Sequence, residues 1–431
     1  SISYYYFGYV MVAMLAKLTN TSGGIAFNLG LSLIFALSAV GVYGLLFNLL
    51  ASRHREKQHA TFLAALLGPF FTLIVSNWEG FLHYIHAQGF FWQEGEDGRM
   101  VSGFWRWLDI WDLVDPPSGN EFGHWWWWRA SRIIQDVDFT GHAKEVISEF
   151  PFFSFLLGDL HPHVLAIPFA LFCVSLALNL FLRHDTRRFR WLGLIPVRLS
   201  LPNFFIIALA VGGMSFLNTW DFPIYVAIIA GAYVLRDIFR KESEGISLRL
   251  LLGDFIFLGL ALGVTGILLY LPFYIGFSSQ AGGLIPNMIY VTRGAHLWVF
   301  FGPLFVPIFL YLLFLWRQCG DLKDFARGLS LSLGFGGGLL TLSLLLVFLM
   351  AVLSPLSMVG SVGQIFLNSL AAPSFRDVLL MGFRRRVIWS GAWVTLILLL
   401  ALGVGLLWAR LRDREKSVRE LNPVQGFVFL L

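Results

Sequence analysis

The fold class that this sequence predicts is an all-α polytopic membrane protein with about nine transmembrane helices, an outer juxtamembrane helix and a large outer loop cap. Three observations predict it. Hydrophobic residues make up 57% of the chain and charged residues 13%, with a mean hydropathy of +0.72; a soluble chain carries about 45–50% and roughly 25%. The missing charge is missing in blocks, leaving uncharged apolar runs of about 20 residues, the length that crosses ~30 Å of hydrocarbon. Basic clusters then recur at every second connection between those runs, as they do when positive loops stay in the cytoplasm.

The elements follow in order. Residues 4–18 are a short apolar segment opening on Tyr4, Tyr5 and Tyr6. Tyrosine suits a membrane–water boundary, so this is the helix expected to lie along the outer face without crossing. Spans are predicted near 25–51, 60–76, 162–183, 203–217, 222–239, 249–272, 296–317, 329–353 and 387–411. The basic clusters are Arg53, Arg55 and Lys57; Arg183, Arg187, Arg188, Arg190 and Arg198; Arg236, Arg240, Lys241 and Arg249; Arg317, Lys323 and Arg327; and, in the tail, Arg410, Arg412, Arg414, Lys416 and Arg419. One orientation places them all inside. Parity then puts 77–161, 218–221, 273–295 and 354–386 outside. The resulting division is 1–76 (juxtamembrane helix and first two spans), 77–161 (outer aromatic and acidic region), 162–411 (seven further spans) and 412–431 (cytoplasmic tail). The expected location is the cell membrane, multi-pass, with the large loops on the non-cytoplasmic side.

Several classes are excluded. A net charge of +5 is no nucleic-acid footprint, because its basic residues sit in short loops. Cys173 and Cys319 are the two cysteines, which gives neither a disulfide framework nor a zinc spacing. There is no phosphate-binding glycine motif. The run Gly334-Phe335-Gly336-Gly337-Gly338 falls within a span, where small residues serve close helix packing. The chain opens at Ser1, and is expected to be part of a longer one.

Polar chemistry concentrates outside. Between Trp78 and His163 lie nine of the sixteen tryptophans, thirteen of the twenty-six acids and six of the ten histidines, more than a mere connector requires. Two outer span ends carry an amide, a tryptophan and an acid within about one turn: Asn77-Trp78-Glu79 and Asn218-Thr219-Trp220-Asp221. Each reads either as an aromatic belt with a helix cap or as a rim where a sugar hydroxyl is held and its ring stacked. Gly158-Asp159-Leu160-His161-Pro162-His163 brings one carboxylate and two imidazoles to the mouth of an apolar helix, costly unless paired, coordinated or solvated. Asp159, His161 and His163 can act on a hydroxyl, hold a divalent metal ion, or cap the helix. Arg129 and Arg132 follow the run Trp125-Trp126-Trp127-Trp128 and offer planar donor forks for a phosphate. Arg384, Arg385 and Arg386 fall outside, where positive charge is disfavoured; a lipid phosphate, or pairing with outer acids such as Asp377, would account for them. Arg293 near His296 could contribute in the same way. Asp254, inside an apolar run, reads as a solvated acid near the cytoplasmic end.

Taken together, Tyr4-Tyr5-Tyr6-Phe7-Gly8, Ala26-Phe27-Asn28-Leu29, Asn77-Trp78-Glu79-Gly80, Trp126-Trp127-Trp128-Arg129 with Ser131 and Arg132, Glu149-Phe150-Pro151-Phe152-Phe153, Gly158 to His163 and Asn218-Thr219-Trp220-Asp221 resemble the uncharacterised Tyr-Tyr-Tyr membrane-protein family of bacteria and archaea. The match is specific over the first half of the chain and loose over the second. Ser3 stands where that family has Asn, and Glu79 where it has Asp. The family is in turn similar to C-type (GT-C) glycosyltransferases, which take sugars from polyprenyl-phosphate carriers outside the membrane. That resemblance implies a GT-C-like fold with lipid-linked sugar and membrane lipids as partners. It implies Asp159 and Glu79 as catalytic acids. It implies substrate contacts from Asn77, Trp78, His161, His163, Asn218, Trp220 and Asp221, and phosphate contacts from Arg129, Arg132, Arg293 and Arg384 to Arg386. It also implies that a catalytic acid can lie upstream of Ser1. The alternatives are a non-catalytic subunit or scaffold with other membrane proteins as partners and, less favoured by the outward placement of the acids, a transporter.

Overall fold

The structure is a computed structural model describing residues 5–53, 58–117, 126–183, 189–191, 195–197, 199–239, 248–277, 286–353, 357–412, 423–428 and 430–431. Ser3, Tyr4, Arg55, Lys57, Trp125, Arg187, Arg188, Arg198, Arg240, Lys241, Arg414, Lys416 and Arg419 lie outside the described residues. The chain divides into two compact units, each discontinuous: Ser1–Ile74 with Ser154–Gly282 and Leu421–Leu431, and Val75–Phe153 with Gly283–Glu420.

In the first unit, helix Phe7–Leu18 is followed by Gly23–Arg53. Twelve residues reach about 18 Å at 1.5 Å per residue, well short of a bilayer core. Asn20 ends this helix in the left-handed region, φ 51°, which Asn tolerates better than most residues. The next crossing is broken into Gln58–Ala65, Leu67–Pro69 and a π-turn at Phe70–Ile74. Helices Pro162–Leu182 and Leu201–Leu217 each carry proline in the first turn, where its missing N–H costs nothing. Asp221–Phe239 and Leu248–Leu269 follow. Gly212 and Gly266 allow close approach: a Cβ on Gly212 would stand 2.7 Å from the Tyr270 ring and 2.9 Å from the Gly266 carbonyl. The chain end also packs here. In the short helix Pro423–Val428, Phe427 is fully buried against Phe181, and Gly426 lies against the Phe239 ring.

The second unit holds the long helices Gly294–Cys319, Leu322–Val352 and Gly391–Arg412. The last two cross where Gly328 meets the Ala401 carbonyl and Gly405 meets Asp324, leaving no room for a Cβ. Around them lie short helices, including Glu79–Ala87, Gly103–Leu108 and Trp126–Arg129, and two hairpins, Gln93–Glu94 with Met100–Val101 and Gln135–Val137 with Ala143–Glu145. There Trp105, Leu108, Ile110, Leu113 and Ile133 form a core together with Val299 of the helix Gly294–Cys319.

Among the described residues seven helices are long and apolar enough to span, or eight if His59–Ile74 and Glu79–Ala87 count as one bent crossing. Nine were expected; Leu201–Leu217 has 17 residues and remains a shorter apolar helix. Some sequence readings need correction. The last span begins at Gly391, because Val387 and Ile388 close a separate helix, Phe375–Ile388. Arg384 to Arg386 lie on that helix. Arg236, assigned to a basic loop, is instead buried within Asp221–Phe239, 4.6 Å over the Tyr233 ring and 3.4 Å from Asp237.

Candidate functional site

In the first unit, Gly158 takes a left-handed backbone, φ +74°, and ends the helix Pro151–Leu157. Four residues later Pro162 starts the next helix, with His161 extended at its N-cap. Leu160, buried against Ile34, Val164 and Leu165, pins the linker. Its two neighbours stay partly in solvent: the side chains of Asp159 and His161 are 40% and 35% exposed. Their contact is close, with His161 Nδ1 2.8 Å from Asp159 Oδ2. A carboxylate that accepts from Nδ1–H leaves Nε2 as the basic nitrogen and steadies the imidazolium once it is protonated. The His163 ring stands 5.0 Å from that of His161, and its Nε2 lies 3.3 Å from the Ser154 hydroxyl. Among the described residues no group of three or more His, Cys, Asp or Glu side chains is placed to hold a metal ion, so Asp159, His161 and His163 do not form the ligand set that their spacing allowed. Asn218, Trp220 and Asp221 turn between two spans in the same unit. The Asn218 carbonyl accepts from Asp221 N–H, and Trp220 is 51% exposed.

The second unit treats the same residue types differently. Asn77 is buried, donates to the Ala130 carbonyl at 2.7 Å and accepts from Glu79 N–H at 3.1 Å. Trp78 N–H donates to the Val299 carbonyl, and its indole rests on Gly302. Glu79 is 0% exposed, with His83 Nδ1 3.6 Å from Oε1 and, among the described residues, no hydrogen bond to either carboxylate oxygen. It is closed to any acceptor in this arrangement. His83 and His86 continue the same helix face; His86 Nε2 donates to the Asp115 carbonyl at 2.9 Å.

The arginines are mostly engaged. Arg132 is buried, 3.6 Å over the Trp128 ring, and its Nε is 3.8 Å from Glu145. Arg129 is half-exposed, 3.9 Å from Asp112. Arg293 pairs with Asp109 and lies 4.4 Å over the Trp389 ring. Arg385 is buried and donates to Asp136 at 3.0 Å, to the Ile289 carbonyl at 2.8 Å and to the Val137 carbonyl at 2.9 Å. Burial holds the Asp136 carboxyl above its ordinary value, against the pull of Val137 N–H and Arg385. Arg386 donates only to carbonyls, those of Met288, Gly382 and Asn287. Arg384 is exposed. Arg385 is therefore paired with an acid, and that acid is Asp136. Asp377 is bound by Ser374 at 2.7 Å.

These shared motifs now meet a family model that runs through both units, matching residues 1–409 and described as "Uncharacterized membrane protein (DUF2298)". The chain belongs to that family. No curated protein and no solved structure gives a significant match. As a DUF2298 member it is a multi-pass membrane protein, and the match extends over the second half, where the motif resemblance was loose.

Asp136, Asp109, His83 and Tyr290 were missed from sequence. Only His83 carried a signal, its i,i+4 spacing from Glu79. The others meet their partners across long loops. Asp159, His161, His163 and Asp221 belong to the first unit and Glu79 to the second.

Proposed function

We propose that this DUF2298 protein is an integral membrane glycosyltransferase-like protein, transferring a sugar from a polyprenyl-phosphate carrier to an acceptor on the non-cytoplasmic face. The observation that carries this reading is the Asp159–His161 pair, 2.8 Å apart and more than a third exposed, at the mouth of an apolar helix. Within this reading His161 Nε2 takes the proton of the acceptor hydroxyl while Asp159 stabilises the imidazolium. The acceptor oxygen bonds to the anomeric carbon, and the carbon–oxygen bond to the carrier phosphate breaks with its electron pair going to phosphate. Charge growing on that oxygen needs cationic donors. Exposed Trp220 offers a face for a sugar ring. Glu79, sealed beside His83, takes no part in this step.

One observation favours the scaffold alternative: Arg132, Arg293 and Arg385 are each consumed by internal pairs. Reconstituting the full chain in vesicles with a panel of polyprenyl-phosphate sugars separates the two. Acceptor-dependent release of polyprenyl phosphate is expected; no release from any donor in the panel would leave the scaffold.

A further inference from the structure

In the second unit the helix Glu79–Ala87 is inverted. Glu79, His83 and His86 are buried on its inner face, while Phe81 and Tyr84 on the other are each more than half exposed. A helix bathed in water turns its apolar stripe inward and its polar face out, so this outward face suits an apolar cover. The turn that follows repeats the pattern. Phe90, Phe91 and Trp107 are each more than half exposed. Their rings join through Phe104, with centroids 6.5 Å apart from Phe90 to Phe91, 4.6 Å from Phe91 to Phe104 and 6.2 Å from Phe104 to Trp107. Phe91 holds a left-handed backbone, φ 64°, which is costly for a bulky side chain. The Trp105 indole N–H fixes the turn by donating to the Phe90 carbonyl at 2.9 Å. A strained turn thus keeps two aromatic rings on the surface.

Contacts to one candidate span, Gly294–Gln318, set the depth of these surfaces. His296, in its first turn, donates from Nε2 to the Leu108 carbonyl at 3.0 Å and to the Asp109 carbonyl at 3.2 Å, directly after Trp107. Trp78 N–H, one residue before the inverted helix, donates to the Val299 carbonyl at 2.9 Å. Val299 lies about 8 Å along the span from Gly294, within the ~5–10 Å at which interfacial apolar faces rest. Both aromatic surfaces are therefore tied to the end of a membrane-crossing helix.

We propose that Phe81, Tyr84, Phe90, Phe91 and Trp107 dock this segment onto lipid, seated in the headgroup–acyl boundary of the bilayer that the chain spans. The occupant follows from chemistry and from place. Exposed apolar clusters mark an interaction surface, and aromatic rings are favoured at the membrane–water boundary. The same span continues into exposed Val306 and Leu310, so the aromatic surfaces extend a wall that already faces lipid. Exposed Glu96 and Asp97, between the hairpin strands Gln93–Glu94 and Met100–Val101, stay in water, because carboxylates are costly in lipid. The inference does not use the transferase reading and stands without turnover of any donor.

The test uses the full chain in phosphatidylcholine nanodiscs, with Cys173 and Cys319 replaced by Ala and one nitroxide spin label at a time. Labels are carried by Phe90→Cys and Trp107→Cys, with Glu96→Cys as the aqueous reference. Collision with oxygen, which concentrates in lipid, is compared with collision with a water-soluble nickel chelate by paramagnetic resonance. Labels at Phe90 and Trp107 should favour oxygen over the chelate, and the label at Glu96 should favour the chelate. Melting temperature in detergent checks that each variant is folded, and Phe81→Cys carries the same test on a separate helix should either of the first two fail. A folded variant whose label at Phe90, Trp107 or Phe81 favours the chelate would overturn the proposal, since that surface then faces water. Exclusion of both relaxants from these positions would overturn it too, because the cover is then protein.

Discussion

Asn77-Trp78-Glu79 and Asn218-Thr219-Trp220-Asp221 are nearly the same words in sequence, and the fold gives them opposite environments. In the second unit the amide is buried on the Ala130 carbonyl and the acid is wholly enclosed beside His83. In the first, the tryptophan is half-exposed and the acid only partly covered. The difference comes from distant chain. Val299, Gly302 and Ala130 close over the first motif through backbone contacts, while Asn218 to Asp221 are held by their own turn. A polar motif at a span end is thus a frame or a reactive rim according to what packs on it. By that measure the second unit uses its polar residues as a sealed frame, and the first leaves Asp159 and His161 available.

The largest effect should come from the frame. Arg385→Ala removes three donors and leaves Asp136 buried without its partner, a loss of about 3–5 kcal/mol in detergent unfolding; Arg384→Ala should fall within about 0.5 kcal/mol. The Arg385→Ala penalty should shrink in acid. Asp136 already has a raised pKa in the fold, and without Arg385 it rises further, so its term is harmless below the unfolded value and grows as pH rises through the folded one. A penalty that is constant with pH would remove Asp136 as the partner.

Next comes Glu79→Ala, which empties a fully enclosed site and removes the carboxylate 3.6 Å from His83; about 2–4 kcal/mol is expected, against under about 1 kcal/mol for Asp221→Ala. Equal losses in the two variants would erase the contrast between the motifs. Gly302→Ala should cost about 1–3 kcal/mol by driving a methyl into the Trp78 indole, and tryptophan emission should shift as Trp78 moves.

The smallest effect is local. Asp138 accepts from Thr140 N–H, the Thr140 hydroxyl and His142 N–H at 2.9, 2.7 and 3.0 Å, and the Thr140 hydroxyl in particular draws its carboxyl below its ordinary value. A depressed pKa contributes stability above the unfolded value and loses it as pH falls through the folded one. Protection of the Thr140 and His142 amides, relative to their intrinsic exchange rates, should therefore fall in acid before that of the rest of the hairpin, and uniform loss across the hairpin would contradict it.

Much of the fold was legible because hydrocarbon imposes one simple demand, an uninterrupted apolar run, and each predicted run has helix in it. The breaks were not legible. Nothing apolar marks the change at Trp389 and Ser390 between two helices, and the 60–76 run reads as continuous although it includes a π-turn. At the site, the Asp159–His161 contact followed from two residues flanking a buried leucine before Pro162. Arg385 with Asp136 spans 249 positions, and no local pattern announces such a pair. The burial of Glu79 depends on long-range packing in the same way.

The central claim is that the available pair, and not the enclosed acid, does the chemistry. Single-turnover transfer from a polyprenyl-phosphate sugar by wild type and Asp159→Asn in vesicles tests it most directly. The variant should lose about 10²–10⁴-fold in rate while keeping the wild-type melting temperature, because Asp159 is 40% exposed and makes one short contact. An undiminished rate in Asp159→Asn, with the variant folded, would contradict the account.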